Sequence, residues 1–328
     1  MSAYETFIPP SPLNTAVLFL VFNRPDVTAQ VFDSIRKAKP PRLYVAADGP
    51  RSGREGEAQR CSEVRRIATA VDWPCEVQTL FREQNLGCKR AVSEGISWFF
   101  KHEEQGIILE DDCLPNQSFF WFCEAMLARF NEDESIMAVT GTNITEGIKF
   151  EADYFFSNYA LMWGWATWAR AWRKCDLELD HWPSKDQLKH LKKLGMSSLH
   201  DRVLWRRSLN STFNGSINTW DYQWIYSCWL SNGLTVAPAK NLIRNIGFSR
   251  EATHTTSKNH PLSNLKTEVL HWPLNDLLGR NTHAAADAFI SKYWFGADWK
   301  STIKYLILRL PLASKLNTIR RKYIDRNY

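Results

Sequence analysis

Along the first 145 residues, short apolar runs and helical-period stretches take turns, which predicts strands and helices in alternation. Residues 16–22 (A-V-L-F-L-V-F) form a continuous apolar run, the pattern of a strand buried on both faces, and Asn23-Arg24-Pro25 stops it. Asp26 then starts a helix in which Val27, Val31, Ile35 and Ala38 share one face up to Lys39. A second strand over 43–47 ends at Asp48-Gly49-Pro50, followed by a polar loop over 51–56 and a helix over 57–70. An alternating strand is expected over 76–81, and Asn85-Leu86-Gly87 introduces a helix that runs to His102. The next apolar run, Ile107, Ile108 and Leu109, stops at three adjacent carboxylates, Glu110, Asp111 and Asp112. A helix over 118–130 and a strand over 136–140 complete the series. Such alternation implies βαβ units in a parallel sheet with right-handed crossovers. Asp48 and the acids at 110–112 then emerge along one edge, at the carboxyl ends where open α/β sheets place ligands.

Past Gly141 the pattern becomes irregular. Aromatic clusters fall at 154–157, 163–172 and 220–230, a charged helix is expected around 186–194, and a short strand over 234–237. The spacing of Trp165, Trp168 and Trp172 suits one buried helix face. The expected organisation is a tail over 1–15, a ligand-binding domain over 16–145, an irregular half over 146–260 built on one edge of the first, and a helical, basic tail over 261–328.

Composition sharpens parts of this picture. The 328 residues allow one large or two modest domains. Of the 15 tryptophans many lie between Trp163 and Trp229, which makes either an aromatic-lined surface or a Trp-rich core. No apolar run approaches the roughly 20 residues of a membrane span. Residues 1–14 lack the basic start and apolar segment of a signal peptide, and the seven cysteines form neither a CxxC pair nor a zinc spacing, so a cytoplasmic location is expected. The net charge of +6 is concentrated in residues 299–328, where eight Lys and Arg face only Asp325. The rest is near neutral, which argues against nucleic acid as a partner. In that tail Ile303, Leu306, Ile307 and Leu310 share one side up to Pro311, so a basic amphipathic helix either lies on an anionic membrane surface or docks on the body.

Three like charges in a row repel, and a divalent cation would relieve them; the alternative is a solvated turn whose acids cap the following helix. Neither GxGxxG nor GxxxxGK[ST] occurs, so phosphate neutralisation falls to a metal or to basic side chains such as Arg24, Lys89 and Arg90.

Phe22-Asn23-Arg24, Ala47-Asp48-Gly49 and Glu110-Asp111-Asp112, with Pro115, Phe119 and Phe120 following, resemble the nucleotide-sugar domain of GT-A-fold glycosyltransferases, nearest to bacterial sugar transferases akin to N-acetylglucosaminyltransferase I. Gly164-Trp165, Trp220-Asp221 and Thr253-His254 match later motifs of that family in the same order. The resemblance implies an α/β fold of GT-A type, a Rossmann-like, mostly parallel sheet flanked by helices, with the Trp-rich half taking the acceptor. It implies an inverting transfer dependent on Mn2+ or Mg2+, from a nucleotide-sugar donor, a UDP-sugar, to a glycan or lipid-linked saccharide in cell-surface polysaccharide synthesis. Carried over by residue, Asn23, Arg24, Asp48, Lys89, Arg90, Glu110 and Asp111 bind the nucleotide and Asp112 and His254 the metal. Asp221 becomes the general base, and Trp165 and Trp220 contact sugar or acceptor. Cys88-Lys89-Arg90 stands where the family carries His-Tyr-Arg. From the residues alone, Asp221 equally suits a cap of the helix through Trp224 and Trp229, and His254 a surface position. Two other functions compete. A sugar nucleotidyltransferase would want a Gly-rich turn where Asn23-Arg24-Pro25 stands, and a secreted carbohydrate-binding or cytolytic protein would want a signal peptide.

Overall fold

A computed structural model describes residues 7–248, 261–300 and 302–303. These fall into two compact units, one within Met1–Glu178 and Asn218–Asp287, the other within Leu179–Ile217 and Ala288–Tyr328.

The first unit is α/β. In chain order its elements are β1 (Val17–Val21), α1 (Pro25–Ala38), β2 (Arg42–Ala47), α2 (Glu57–Ala68), β3 (Glu76–Phe81), α3 (Gly87–Phe99), β4 (Gln105–Glu110), β5 (Cys113–Pro115), α4 (Ser118–Arg129), β6 (Ile136–Thr140), β7 (Tyr154–Ser157), β8 (Trp165–Trp168) and the single turn α5 (Ala169–Trp172). After the second unit's α6 (Gln187–Lys193) and α7 (Leu199–Phe213) come α8 (Asp221–Leu230), β9 (Leu234–Pro238), β10 (Ile243–Asn245) and α9 (Ala284–Tyr293).

Eight strands form one sheet in the order β3-β2-β1-β4-β8-β6-β9-β7, and β5 pairs with β10 in a separate two-stranded ribbon. β3, β2, β1 and β4 are mutually parallel. β1 therefore has β2 on one side and β4 on the other, so the chain reverses its direction of travel across the sheet between β1 and β4. Every residue of β1 is buried, as its unbroken apolar run requires. Helix α1 begins with Pro25 in its first turn, where a missing N–H costs nothing, and ends with Arg36 and Lys37, which favour the negative end of the helix dipole.

The tryptophan segment departs from its expected helix face. Trp165–Trp168 is β8, inserted antiparallel between β4 and β6, with Ile107 opposite Ala166 and Val139 opposite the same residue. All four of its residues are buried, because helices and side chains cover both faces of this central strand, so burial there carries no period. Gly164 enters β8 at φ +61, and a Cβ on it would collide with Ile243. Acidic capping after Pro115 is also not formed. The first turn of α4 is closed by Asn116, whose side-chain oxygen accepts from Phe119 N (3.2 Å) and Ser118 Oγ (2.8 Å). Helix α4 then buries Phe119, Phe120 and Phe122 completely.

In the second unit, Ser198 caps α7 by accepting from Asp201 N, Trp182 Nε1 donates to Asn210 Oδ1 (3.0 Å), and Trp205 packs on Phe295. Leu199, Phe213 and Trp299 are exposed. Among the described residues no helix is long and apolar enough to cross a membrane.

Candidate nucleotide-sugar site

A cavity of about 870 Å³ opens at the carboxyl ends of β1, β2 and β4. Its wall includes Phe22, Asn23 and Arg24 after β1, Asp48 and Arg51 after β2, Glu57 of α2, Asn85 and Cys88 around the start of α3, and Glu110 and Asp111. The two carboxylate turns thus share one crevice, at the point where the strand order reverses.

Arg24 stands at its centre. Its Nη2 donates to Asp111 Oδ1 (2.5 Å) and to Asp112 Oδ2 (2.8 Å), while Asp111 Oδ2 also accepts from Phe22 N (3.2 Å). Burial disfavours the Arg24 charge, but Asp111 and Asp112 outweigh it and move its pKa further up. Asp111 is pushed up to about 6 by burial, with Arg24 pulling the other way. The turn after β10 closes over this group: Ile246 N donates to Asp112 O (2.8 Å), and a Cβ on Gly247 would strike both Asp112 and Arg24.

No donor reaches the Glu110 carboxylate among the described residues, and the Arg24 charge acts on it only through space. Burial, then Asp112, Asp111 and Asp221, push it up to about 8. Asp221, the first residue of α8, accepts from Thr219 Oγ1 and from Tyr222 N (2.8 Å), so it closes its own helix start and also bears on Glu110. Burial and then Glu110, Asp221, Asp48 and Asp112 raise the Cys88 thiol, which is therefore neutral and marks the middle of the acidic group.

Asp48 lines the cavity, with its carboxylate held by four donors. Its Oδ1 accepts from Gly49 N (2.8 Å) and Leu86 N (2.9 Å), and its Oδ2 from Asn85 Nδ2 (2.8 Å) and Gly87 N (3.2 Å). A carboxylate offers about four acceptor positions. The donors come from Gly49 and from the start of α3, so Asp48 ties the turn after β2 to that helix and fixes the wall. Lys89 Nζ pairs with Glu178 (3.0 Å), Arg90 is exposed, and neither is among the residues lining the cavity. Trp165 and Trp220 are 1 % and 3 % exposed and stack on each other at 5.6 Å, with Trp172 and Trp224 against them. Trp165 packs against three other indoles and Trp220 against two, and neither lines the cavity. Asn23 and Arg24 line the cavity, and His254 lies outside the described residues.

Among the described residues no three His, Cys, Asp or Glu side chains converge tightly enough to hold a cation by themselves. The donor set is nonetheless one of hard oxygens, and the unpartnered Glu110 beside Asp111 and Asp112 is the arrangement a divalent ion would relieve once a ligand completes its shell.

Sequence reading did not single out Glu57, Arg51 or Asn85. Glu57 is fully buried and accepts from Asn23 Nδ2 (2.9 Å), from Arg51 N (2.6 Å) and from the Arg51 guanidinium (2.5 Å to Nη2). The one signal was a carboxylate opening a helix directly after a glycine-containing loop, which ordinarily reads as a dipole effect.

No protein-family profile and no curated protein matches the chain. Among solved structures, UDP-glucose pyrophosphorylase complexed with UDP-glucose aligns at TM-score 0.35 and 8 % identity, over 69 % of this chain and 90 % of that one. Its apo form aligns at 0.34 with the same identity and coverage. Similarity at this level assigns no activity.

Proposed function

We propose that the chain is an inverting glycosyltransferase that binds a nucleotide-diphosphate sugar, a UDP-sugar, in the cavity at the β1–β4 reversal. The observation that carries this reading is the pairing there of an unpartnered carboxylate, Glu110, with the Arg24-bridged Asp111 and Asp112. A diphosphate needs a cation and a fixed positive charge. Asp112 and Glu110 would hold Mn2+ or Mg2+ together with the ligand, and the ion would stabilise the negative charge of the departing diphosphate. Arg24, held by two acids, supplies a charge that does not reorganise during the reaction. Asp221 is the base: its carboxylate takes the proton of the acceptor hydroxyl as that oxygen attacks the anomeric carbon opposite the leaving group. One base facing one leaving group gives inversion. The acceptor is a glycan or lipid-linked saccharide, and the basic sequence from Lys300 onward suits an anionic membrane face.

A screen of nucleotide sugars for metal-dependent release of UDP tests the reading. Release with at least one donor supports it, and Asp221→Asn should then keep UDP affinity in calorimetry while turnover falls by roughly a hundredfold or more. Incubation with UTP and a sugar 1-phosphate is the control arm. Formation of a nucleotide sugar with release of pyrophosphate would make the protein a nucleotidyltransferase instead.

A further inference from the structure

With the Asp48 carboxylate engaged by donors of the wall, the nucleoside end of the ligand calls for further partners, and another part of the cavity lining supplies them. Phe22, Asn23 and Arg51 all line the cavity, and Glu57 holds Asn23 and Arg51. Arg51 lies with its guanidinium carbon 5.5 Å from the centre of the Phe22 ring, and two of its side-chain nitrogens donate to Glu57. Asn23 donates to Glu57 through Nδ2, and its Oδ1 has no hydrogen-bond partner among the described residues. Hydrogen bonds from Arg51 depress Glu57 to about 2, so it is ionised and can only accept, which settles the direction of the Asn23 amide. A planar guanidinium, an aromatic ring and an unfilled carbonyl oxygen at one wall are the groups that stack on a base and accept its N–H.

We propose that Phe22, Asn23 and Arg51 form the base-binding wall of the cavity, and that Glu57 is the positioning residue that holds Arg51 and Asn23 in place for it. This rests on the nucleotide-diphosphate reading and assigns the half of the ligand that the β4 acids do not touch. Because the Glu57 carboxylate is engaged by Arg51 and Asn23, its effect passes through them. Loss of Glu57 therefore weakens the nucleoside contribution to binding and leaves the diphosphate contribution alone.

The test compares UDP with inorganic pyrophosphate, each titrated calorimetrically in the presence of Mn2+ against the full-length protein and its variants. Glu57→Gln and Arg51→Gln should each weaken UDP by roughly tenfold or more, with pyrophosphate affinity changed by less than about twofold. Phe22→Leu keeps an apolar side chain without a stacking face and should behave the same way, which guards against Glu57→Gln failing to fold. Equal losses for UDP and pyrophosphate would make Glu57 merely structural, and unchanged UDP affinity in all three variants would remove the wall altogether. A wild-type protein that binds pyrophosphate as tightly as UDP would overturn this proposal and leave the diphosphate site standing. Binding of neither would overturn both.

Discussion

The ends of β2 and β4 flank β1 at the same edge of the sheet, and they treat their carboxylates in opposite ways. After β2, Asp48 and Glu57 are saturated with donors from Leu86, Gly87, Asn85, Asn23 and Arg51. After β4, Glu110 has no donor, and Asp111 and Asp112 share a single arginine. Satisfied buried acids stabilise a wall, whereas crowded, unsatisfied ones hold binding capacity in reserve at the expense of stability. The first turn is built as a scaffold, and the second is the one the proposed ligand would satisfy.

Removing Arg24 attacks the β4 side hardest. Arg24→Ala leaves two mostly buried acids uncompensated, and chemical denaturation should show a loss of about 3–5 kcal/mol together with loss of UDP binding. On the scaffold side, Asp48→Ala strands several backbone donors at the start of α3 and should cost about 2–3 kcal/mol in the same measurement. A similar loss of stability on replacing Glu110 would erase the contrast. Glu110→Gln should instead leave stability within about 0.5 kcal/mol below pH 4.5, and raise it as pH climbs from there towards about 8, while metal-dependent turnover falls. Over that range burial and the neighbouring acids hold Glu110 neutral in the fold, whereas the unfolded chain ionises it. The smallest effect concerns acid. Glu57 is depressed from 4.5 to about 2, so its contribution is complete above pH 4.5 and is lost as pH falls through that window towards about 2. Thermal melts of Glu57→Gln against pH should show a flatter acid limb than the wild type, and parallel limbs would mean that Glu57 is not ionised in the fold.

The parallel strands were legible because strands buried on both faces leave continuous apolar runs, and β1, β2 and β4 lie within a residue or so of their expected positions. Trp165–Trp168 was not, since four buried residues in a row have no period and the spacing to Trp172 imitates a helix face. Helix α7 also escaped notice, its Ser198 cap being the only local mark in a weakly amphipathic stretch. The acids of the site were visible as charges, but not their division of labour. What separates Asp48 from Glu110 is a set of donors near residue 86, far along the chain from either, so sequence neighbours could not distinguish the two.

The place of β8 has a bearing on how the protein is made. Its pairing partner β4 precedes it by more than fifty residues, so a nascent chain that has emerged only to residue 145 exposes a bare, apolar strand edge beside the ligand crevice. Such an edge invites pairing with other chains. The first 145 residues are therefore no transplantable module: their sheet is complete only after the tryptophan strand arrives, and premature termination upstream of it should yield aggregates in place of a smaller folded protein.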